Sequence, residues 1–149
     1  MAEIERSAQA VWTGDLRAGR GRVTAASGAL ADSPYSFGTR FQDQPGTNPE
    51  ELVAAAHAAC YNMALAHALA NQGHPPDRLE TEARCTLRAE PGGGFTIAKV
   101  RLVTRGQVPG MDEETFGKAA EDAERRCPVS KALRGNVEIQ LAATLIRAG

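Results

Sequence analysis

Two cysteines, Cys60 and Cys127, stand in sequence contexts that suit thiol redox chemistry. Cys60 lies within an alanine-rich run over residues 48–66, and Cys127 directly precedes Pro128. Small side chains let another stretch of backbone approach closely, so a distant thiol can come within the Cα separation of roughly 4.4–6.8 Å that a disulfide requires. The competing interpretation is two unrelated buried thiols, because cysteine is a common core residue. The third cysteine, Cys85, is predicted to lie on the apolar face of a strand and to belong to the core.

A thiol reacts as its thiolate, which needs a cation or a hydrogen-bond donor nearby. Arg40 is the leading candidate, since an arginine held by a carboxylate such as Glu50 would be a fixed cation next to a thiolate. The competing interpretation of Arg40 is a solvated surface arginine. Three further arginines in the early turn compete for the same role: Arg17, Arg20 and Arg22.

Glu50 precedes Cys60 by ten residues, which sets a geometric constraint on any shared site. A continuous helix rises about 1.5 Å per residue, so the two residues would lie roughly 15 Å apart and could not touch within one chain. Two copies of the helix packed antiparallel about a two-fold axis would bring Glu50 of one copy near Cys60 of the other. The alternative is that Glu50 is a first-turn carboxylate that complements the helix dipole.

His57 precedes Cys60 by one helical turn and would share its face. It could act as a base, or with Cys60 form half of a metal site. The three histidines and the cysteines lack the paired spacing of structural zinc motifs, so no metal site is predicted. A Cys-His acyl hydrolase is also disfavoured, because no glycine-rich oxyanion loop accompanies the pair.

The composition favours a single domain over residues 1–149, with a formal net charge of −1 that offers no footprint for nucleic acid. The acidic opening residues lack the apolar core of a signal peptide. The longest apolar stretch, residues 53–70, is interrupted by His57, Asn62 and His67 and makes a poor membrane span. Three cysteines without an export signal indicate a cytoplasmic protein, in which disulfides are usually transient and catalytic.

The patterning predicts an α+β domain in which strands surround two helices. Strands are predicted over residues 9–13, 22–26, 35–42, 81–87, 95–104 and 137–143. Asn48 is the expected N-cap of a long helix that begins at Pro49, runs to about Asn71 and stops at Gly73. A second helix is expected near Asp112, with Pro128 either interrupting it or starting a short new helix.

Read together, four segments resemble the OsmC/Ohr family of thiol-dependent peroxidases. The matching segments span residues 34–41, 46–52, 56–60 and 127–130, and the likeness covers nearly the whole chain from Trp12 onward. A helix-borne cysteine ten residues after a glutamate, followed by a distant Cys-Pro, is a specific combination. The Thr39-Arg40-Phe41 segment and His57 look more like the OsmC branch than the organic hydroperoxide resistance (Ohr) branch.

The resemblance implies an intertwined homodimer, with antiparallel sheets around two central cysteine-bearing helices and sites at the subunit interface. It also implies that Cys60 is the peroxidatic thiolate, Cys127 the resolving thiol, and Arg40 the cation oriented by Glu50. Arg20 is the alternative cation. No metal, flavin or haem is implied, because sulfur carries the electrons.

The implied function is the reduction of organic hydroperoxides, with hydrogen peroxide as a further substrate, and regeneration by a dithiol such as a lipoyl group. The competing functions are a stress-response small-ligand-binding protein of the same fold that does no catalysis, and the Cys-His acyl hydrolase.

Overall fold

The computed structural model describes residues 2–147 and contains two compact units, Met1–Leu52 and Val53–Gly149. Each unit has its own three-stranded sheet. The mixture of helices and sheets confirms the α+β fold class. The single domain over residues 1–149 stays a prediction.

The sheet of the first unit is antiparallel, in the order β1 (Ala8–Thr13), β2 (Arg20–Ala25) and β3 (Ser33–Tyr35). At its centre, Gly21 is in register with Trp12 on one side and with Tyr35 on the other. The rings of Trp12 and Tyr35 lie 5.5 Å apart, and a Cβ on Gly21 would stand 2.5 Å from the Tyr35 ring. Glycine is therefore required here to let the two aromatic rings pack across the strand.

The predicted strand over residues 35–42 is wrong, because the chain turns into a short helix, α1 (Phe37–Phe41), directly after β3. Ser36 caps this helix reciprocally. Its hydroxyl accepts a hydrogen bond from the Thr39 N–H (3.3 Å), and the Thr39 hydroxyl accepts one from the Ser36 N–H (2.8 Å). These bonds satisfy backbone donors that a helix start leaves open, and they favour a helix over an extended strand.

The long helix α2 (Pro49–Asn71) confirms the prediction at both ends. The Asn48 side-chain oxygen accepts a hydrogen bond from the Glu51 N–H at 2.8 Å, as an N-cap does. The Asn48 amide nitrogen donates to the Thr39 carbonyl at 3.0 Å, so one side chain ties α1 to the start of α2. Gly73 follows the helix with φ +85°, the left-handed conformation that commonly ends helices.

The sheet of the second unit has the order β4 (Arg78–Ala89), β5 (Phe95–Gln107) and β6 (Glu138–Leu145). Strands β4 and β5 are antiparallel, whereas β5 and β6 are parallel, which corrects the expectation of purely antiparallel sheets. Between β5 and β6 the chain passes through α3 (Glu113–Arg126) and α4 (Pro128–Leu133). A crossover through helices returns the chain in its original direction, and a parallel pair follows.

The core of the second unit forms between this sheet, α2 and α3. Helix α2 contributes residues at four-residue spacing, all fully buried: His57, Tyr61, Leu65 and Leu69. The Tyr61 hydroxyl donates to the Ala120 carbonyl of α3 at 3.0 Å, which satisfies the buried phenol. The second helix begins near Asp112, as predicted, and the Asp112 carboxylate caps it by accepting a 2.7 Å hydrogen bond from the Thr115 N–H. Pro128 starts α4.

The other faces of α2 carry small and apolar residues that the chain leaves exposed, among them Ala55, Ala56, Ala59 and Met63. Met63 is 75% exposed. By length and composition, α2 could cross a membrane, with a mean hydropathy of 1.3, but only 22% of its most apolar part is buried. Helices of this length and composition also form the cores of water-soluble proteins.

Candidate redox site

Cys60 and Cys127 lie together in the second unit, as the disulfide hypothesis requires. Cys60 is carried by α2, and Cys127 occupies the junction at which α3 ends and α4 begins. The Cys127 N–H still donates to the Ala123 carbonyl of α3 at 2.8 Å, while Pro128 opens α4. The Cys127 side chain and the backbone N–H of Val129 lie close enough to the Cys60 thiol to shift its pKa. The two sulfur atoms are therefore neighbours, although both cysteines are free thiols.

The two thiols differ in accessibility. Cys127 is fully buried, whereas Cys60 is half-buried and lines an open groove of about 840 Å³. The groove is also bordered by Met63 and Pro128 and by the basic side chains of Arg125 and Lys131. A small molecule in this groove could reach the Cys60 sulfur without meeting that of Cys127. Cys85 lies on β4, on the inward-facing side of the strand, as predicted.

The surroundings of Cys60 in the second unit favour its neutral form. Burial raises the pKa of the Cys60 thiol, and the neighbouring Cys127 raises it further, while the hydrogen bond from the Val129 N–H lowers it. Burial is the largest of these effects. A nearby cation would be needed to hold Cys60 as a thiolate at neutral pH.

His57 does not hydrogen-bond to Cys60. Its Nε2 atom lies 2.6 Å from the Ser130 hydroxyl of α4, and both residues are fully buried. Its Nδ1 atom is buried and has no hydrogen-bond partner among residues 2–147. A Cys-His pair for acyl transfer needs a hydrogen bond between the two side chains, so the geometry disfavours the hydrolase.

Sequence reasoning missed Ser130 and Val129, both on α4. Equal spacing in the sequence could have indicated the pairing of His57 with Ser130. His57 lies three residues before Cys60, and Ser130 lies three residues after Cys127. Two helices that pair one thiol with another can also pair the residues one turn away.

Burial lowers the pKa of His57 from its ordinary value of 6.5, and the carboxylate of Glu124 partly offsets this effect. The unfolded chain therefore takes up a proton at His57 at a pH where the folded chain does not. We expect the free energy of unfolding to fall as the pH drops below about 6.5, by up to about 1.4 kcal/mol per pH unit. Urea unfolding of the wild type and His57→Gln between pH 5 and 7.5 measures this, and the variant should show the weaker pH dependence. His67→Gln, at an exposed position of the same helix, is the control. Parallel curves for wild type and His57→Gln would contradict the expectation.

Arg40 and Glu50 form an ion pair in the first unit, as predicted. The Arg40 Nε atom donates to Glu50 Oε1 at 2.7 Å. Glu50 is 7% exposed, and its Oε2 atom has no hydrogen-bond partner among the described residues. The Arg40 side chain is 33% exposed, and its guanidinium lies 5.3 Å from the centre of the Phe41 ring. The bond to Glu50 uses the Nε–H of Arg40, which leaves the N–H groups of the two terminal nitrogens as donors for another group.

The competing arginines have other partners or positions. Arg17 stacks over the Phe37 ring at 5.0 Å, and Arg22 donates to the Asp32 carbonyl at 3.1 Å. Arg20 lies on the wall of a separate polar pocket of about 530 Å³. Arg40 is thus the arginine that Glu50 holds.

An apolar pocket of about 350 Å³ adjoins Arg40 in the first unit. Aromatic and aliphatic residues supply most of its lining: Trp12, Leu16, Tyr35, Phe37, Phe41 and Pro49. The rings of Phe37 and Phe41 pack 4.8 Å apart. A hydrocarbon group could occupy this pocket beside the guanidinium.

Within residues 2–147, no three side chains from histidine, cysteine, aspartate and glutamate converge as metal ligands would. The chemistry that the residues themselves provide is that of paired thiols.

Comparison with known proteins gives a consistent result. Residues 41–142 match the sequence profile of the family described as OsmC-like protein. The chain is 42% identical over 136 residues to the peroxiredoxin OsmC of Escherichia coli strain K12, covering 91% of this chain and 94% of that protein. It is 36% identical over 127 residues to the organic hydroperoxide resistance protein OhrB of Bacillus subtilis strain 168, covering 84% and 90%. The crystal structure of Bacillus subtilis OhrB matches with a TM-score of 0.72 at 33% identity, over 92% of this chain and 97% of that chain.

Proposed function

Because the chain belongs to the OsmC-like protein family, we propose that it is a cysteine-based peroxidase that reduces organic hydroperoxides to alcohols. The observation that carries the proposal is the contact between two free thiols from distant parts of the sequence, one reachable from solvent and one buried. A binding protein has no need of such a pair.

The reaction has three steps. The Cys60 thiolate attacks the terminal oxygen of ROOH, the O–O bond breaks, and the alkoxide leaves as ROH after taking up a proton, which makes Cys60 a sulfenic acid. The Cys127 thiol then attacks the sulfenic sulfur, forming the Cys60–Cys127 disulfide and releasing water. An external dithiol reduces the disulfide by exchange and becomes a disulfide itself.

The different exposure of the two thiols supports this division of roles. Cys60 faces the groove through which a peroxide can arrive, while Cys127 is shielded from direct oxidation. The Val129 N–H would stabilise negative charge on the Cys60 sulfur. The closeness of the two thiols also supports disulfide formation between them, since Cys127 is near enough to affect the ionisation of Cys60.

The cation that ionises Cys60 is proposed to come from a second copy of the chain. Glu50 and Cys60 are ten residues apart on a continuous helix, which places them about 15 Å from each other. In a homodimer whose α2 helices pack antiparallel, Arg40 of the partner subunit would approach Cys60, with the partner subunit's Glu50 orienting it. The small, exposed residues of α2 suit close helix packing of this kind.

Organic hydroperoxides are the proposed substrates because an apolar pocket adjoins Arg40. The hydrocarbon group of ROOH would occupy the pocket, and the free nitrogens of Arg40 would polarise the peroxide oxygens. We further propose that the enzyme is cytoplasmic and that its reductant is a dithiol such as a lipoyl group. No nucleic acid or membrane partner takes part in this scheme.

The test treats the reduced protein with one equivalent of cumene hydroperoxide. We expect the loss of two thiols per chain, a mass decrease of about 2 Da, and a cross-linked peptide that joins Cys60 to Cys127. Cumyl alcohol should appear in equal amount.

Two other outcomes would overturn the proposal. Unchanged thiols, with the peroxide recovered intact, would favour a small-ligand-binding protein. Release of acid from a thioester without peroxide, abolished by His57→Gln, would favour an acyl hydrolase.

A further inference from the structure

We propose that His57 and Ser130 are positioning residues that hold Cys127 beside Cys60 for the disulfide-forming step. The inference rests on the proposed peroxidase function and adds two residues to it. Neither residue is assigned a role in the three steps above.

Helices α2 and α4 carry matching pairs of residues where they meet. Each helix carries one thiol and one polar residue three positions away: His57 and Cys60 on α2, Cys127 and Ser130 on α4. The polar residues meet at 2.6 Å, and one turn along the two thiols are close enough for Cys127 to raise the pKa of Cys60. The two helices are thus joined by two parallel contacts, of which only one changes during catalysis.

Helix α4 is held by apolar contacts of Val129 and Leu133 with the core, by the ion pair of Arg134 with Glu124 at its end, and by the buried bond of Ser130 to His57. It has six residues, its cap residue Cys127 makes no side-chain capping bond, and Ser130 is its only fully buried member. So short a helix has little stability of its own and depends on its tertiary contacts. The bond to His57 ties α4 to the 23-residue α2, which belongs to the core.

The hydrogen bond is also well suited to a fixed position. Both side chains are fully buried, so water does not compete for the bond. Burial lowers the pKa of His57 and so favours the neutral ring, whose Nε2 can donate to or accept from the Ser130 hydroxyl, depending on the tautomer. The ring has no other hydrogen-bond partner among residues 2–147, so Ser130 alone orients it.

Two reactions compete for the sulfenic acid of Cys60. Its sulfenic acid can condense with Cys127, releasing water, or react with a second hydroperoxide to give sulfinic acid and ROH. A displaced α4 slows the first reaction and leaves the second unchanged. Loss of the His57–Ser130 bond should therefore change the partition between disulfide and sulfinic acid, with little effect on the initial oxidation of Cys60.

The experiment compares wild type, Ser130→Ala, His57→Leu, His57→Gln and the double variant Ser130→Ala with His57→Leu. Each is treated with excess cumene hydroperoxide, and mass spectrometry measures the ratio of the Cys60–Cys127 disulfide to Cys60 sulfinic acid. Stopped-flow measurement with substoichiometric peroxide gives the rate of the first oxidation. We expect the ratio to fall about tenfold in Ser130→Ala and His57→Leu, as for a lost hydrogen bond. The first oxidation should stay within about twofold of wild type.

Two comparisons separate positioning from general destabilisation. His57→Gln retains a polar nitrogen near the position of Nε2 and should recover part of the ratio. The double variant should be no worse than either single variant, because residues of one pair are not additive. Thr104→Val is the matched control, since it removes a fully buried hydroxyl that bonds to Thr81 instead. It should lower the melting temperature and leave the ratio unchanged.

Failure of the proposed function and failure of this inference would give different results. A wild type that forms no disulfide overturns the proposed function, and the inference falls with it. A wild type that forms the disulfide, with an unchanged ratio in both Ser130→Ala and His57→Leu, overturns the inference alone. An equal fall of the ratio in Thr104→Val would also overturn it, because the effect would then be one of stability.

Discussion

Cys60→Ser is expected to reduce hydroperoxide turnover to the uncatalysed background, a loss of more than about 10³-fold. Serine keeps the size of the side chain, but its hydroxyl is not ionised at neutral pH and accepts no oxygen from a peroxide. Cys127→Ser should behave differently. It should consume the first equivalent of peroxide at a near-normal rate and then accumulate Cys60 as sulfenic and sulfinic acid, because no buried thiol completes the disulfide. Coupled turnover with a dithiol, together with intact mass, measures both effects.

Cys85→Ser is the matched control for both variants. It removes a half-buried thiol of the same unit from β4 and should leave turnover within about twofold of wild type. If Cys127→Ser lost the first oxidation and Cys60→Ser kept it, the two roles would be exchanged. That result would require the fully buried thiol to meet the peroxide first.

The long helix could be predicted from the sequence because its determinants are local. Asn48, Pro49 and Gly73 mark its ends through side-chain capping, a fixed φ and a left-handed conformation, and each acts within one turn. The alternation of apolar and polar residues along β4 could also be predicted from the sequence, and the observed burial follows it. Both features depend on neighbours in the sequence.

The short helix α1 was missed because its sequence also fits a strand. Tyr35, Phe37, Thr39 and Phe41 alternate with smaller or polar residues, which imitates period-two patterning. The capping box that decides the outcome uses threonine at its second position instead of the usual glutamate or glutamine. The parallel pairing of β5 with β6 depends on a crossover through two helices, which periodicity does not encode.

In the site, too, the chemistry of single residues could be predicted from the sequence, whereas contacts between distant segments could not. Side-chain chemistry and the resemblance to a family were enough to select four candidate site residues: Cys60, Cys127, Arg40 and Glu50. The partnership of His57 with Ser130 could not, because serine is an ordinary helix residue until a distant histidine is packed against it. Which contacts form between remote segments is decided by the tertiary arrangement.

Arg40→Ala is expected to slow the oxidation of Cys60 by roughly 10- to 1,000-fold at pH 7, because loss of a nearby cation raises a thiol pKa by about 1–3 units. Burial already raises the pKa of Cys60, so in the proposed dimer the ionisation of this thiol would depend on Arg40 of the partner subunit. The rate should recover as the pH rises and the thiol ionises unaided. Glu50→Gln should have a smaller effect in the same direction, since it loosens the orientation of Arg40 and keeps its charge. Stopped-flow oxidation between pH 6 and 10 measures both.

Mixed dimers can test whether Arg40 and Cys60 of one site come from different subunits. When Cys60→Ser and Arg40→Ala chains are unfolded together and refolded at equal amounts, random pairing makes about half of the dimers mixed. Each mixed dimer then holds one complete site, with Cys60 from one chain and Arg40 from the other. Activity should therefore return to about a quarter of the wild-type value, although each variant is nearly inactive by itself.

The reverse mixture supplies the control. A chain that carries both Cys60→Ser and Arg40→Ala, refolded with wild type, gives mixed dimers in which both shared sites are broken. The mixture should retain about a quarter of the wild-type activity, whereas sites complete within single chains would retain about half. Sites within single chains would also leave the first mixture inactive. The pair of mixtures thus decides whether Arg40 acts across the subunit interface, and therefore whether dimerisation is part of the catalytic mechanism.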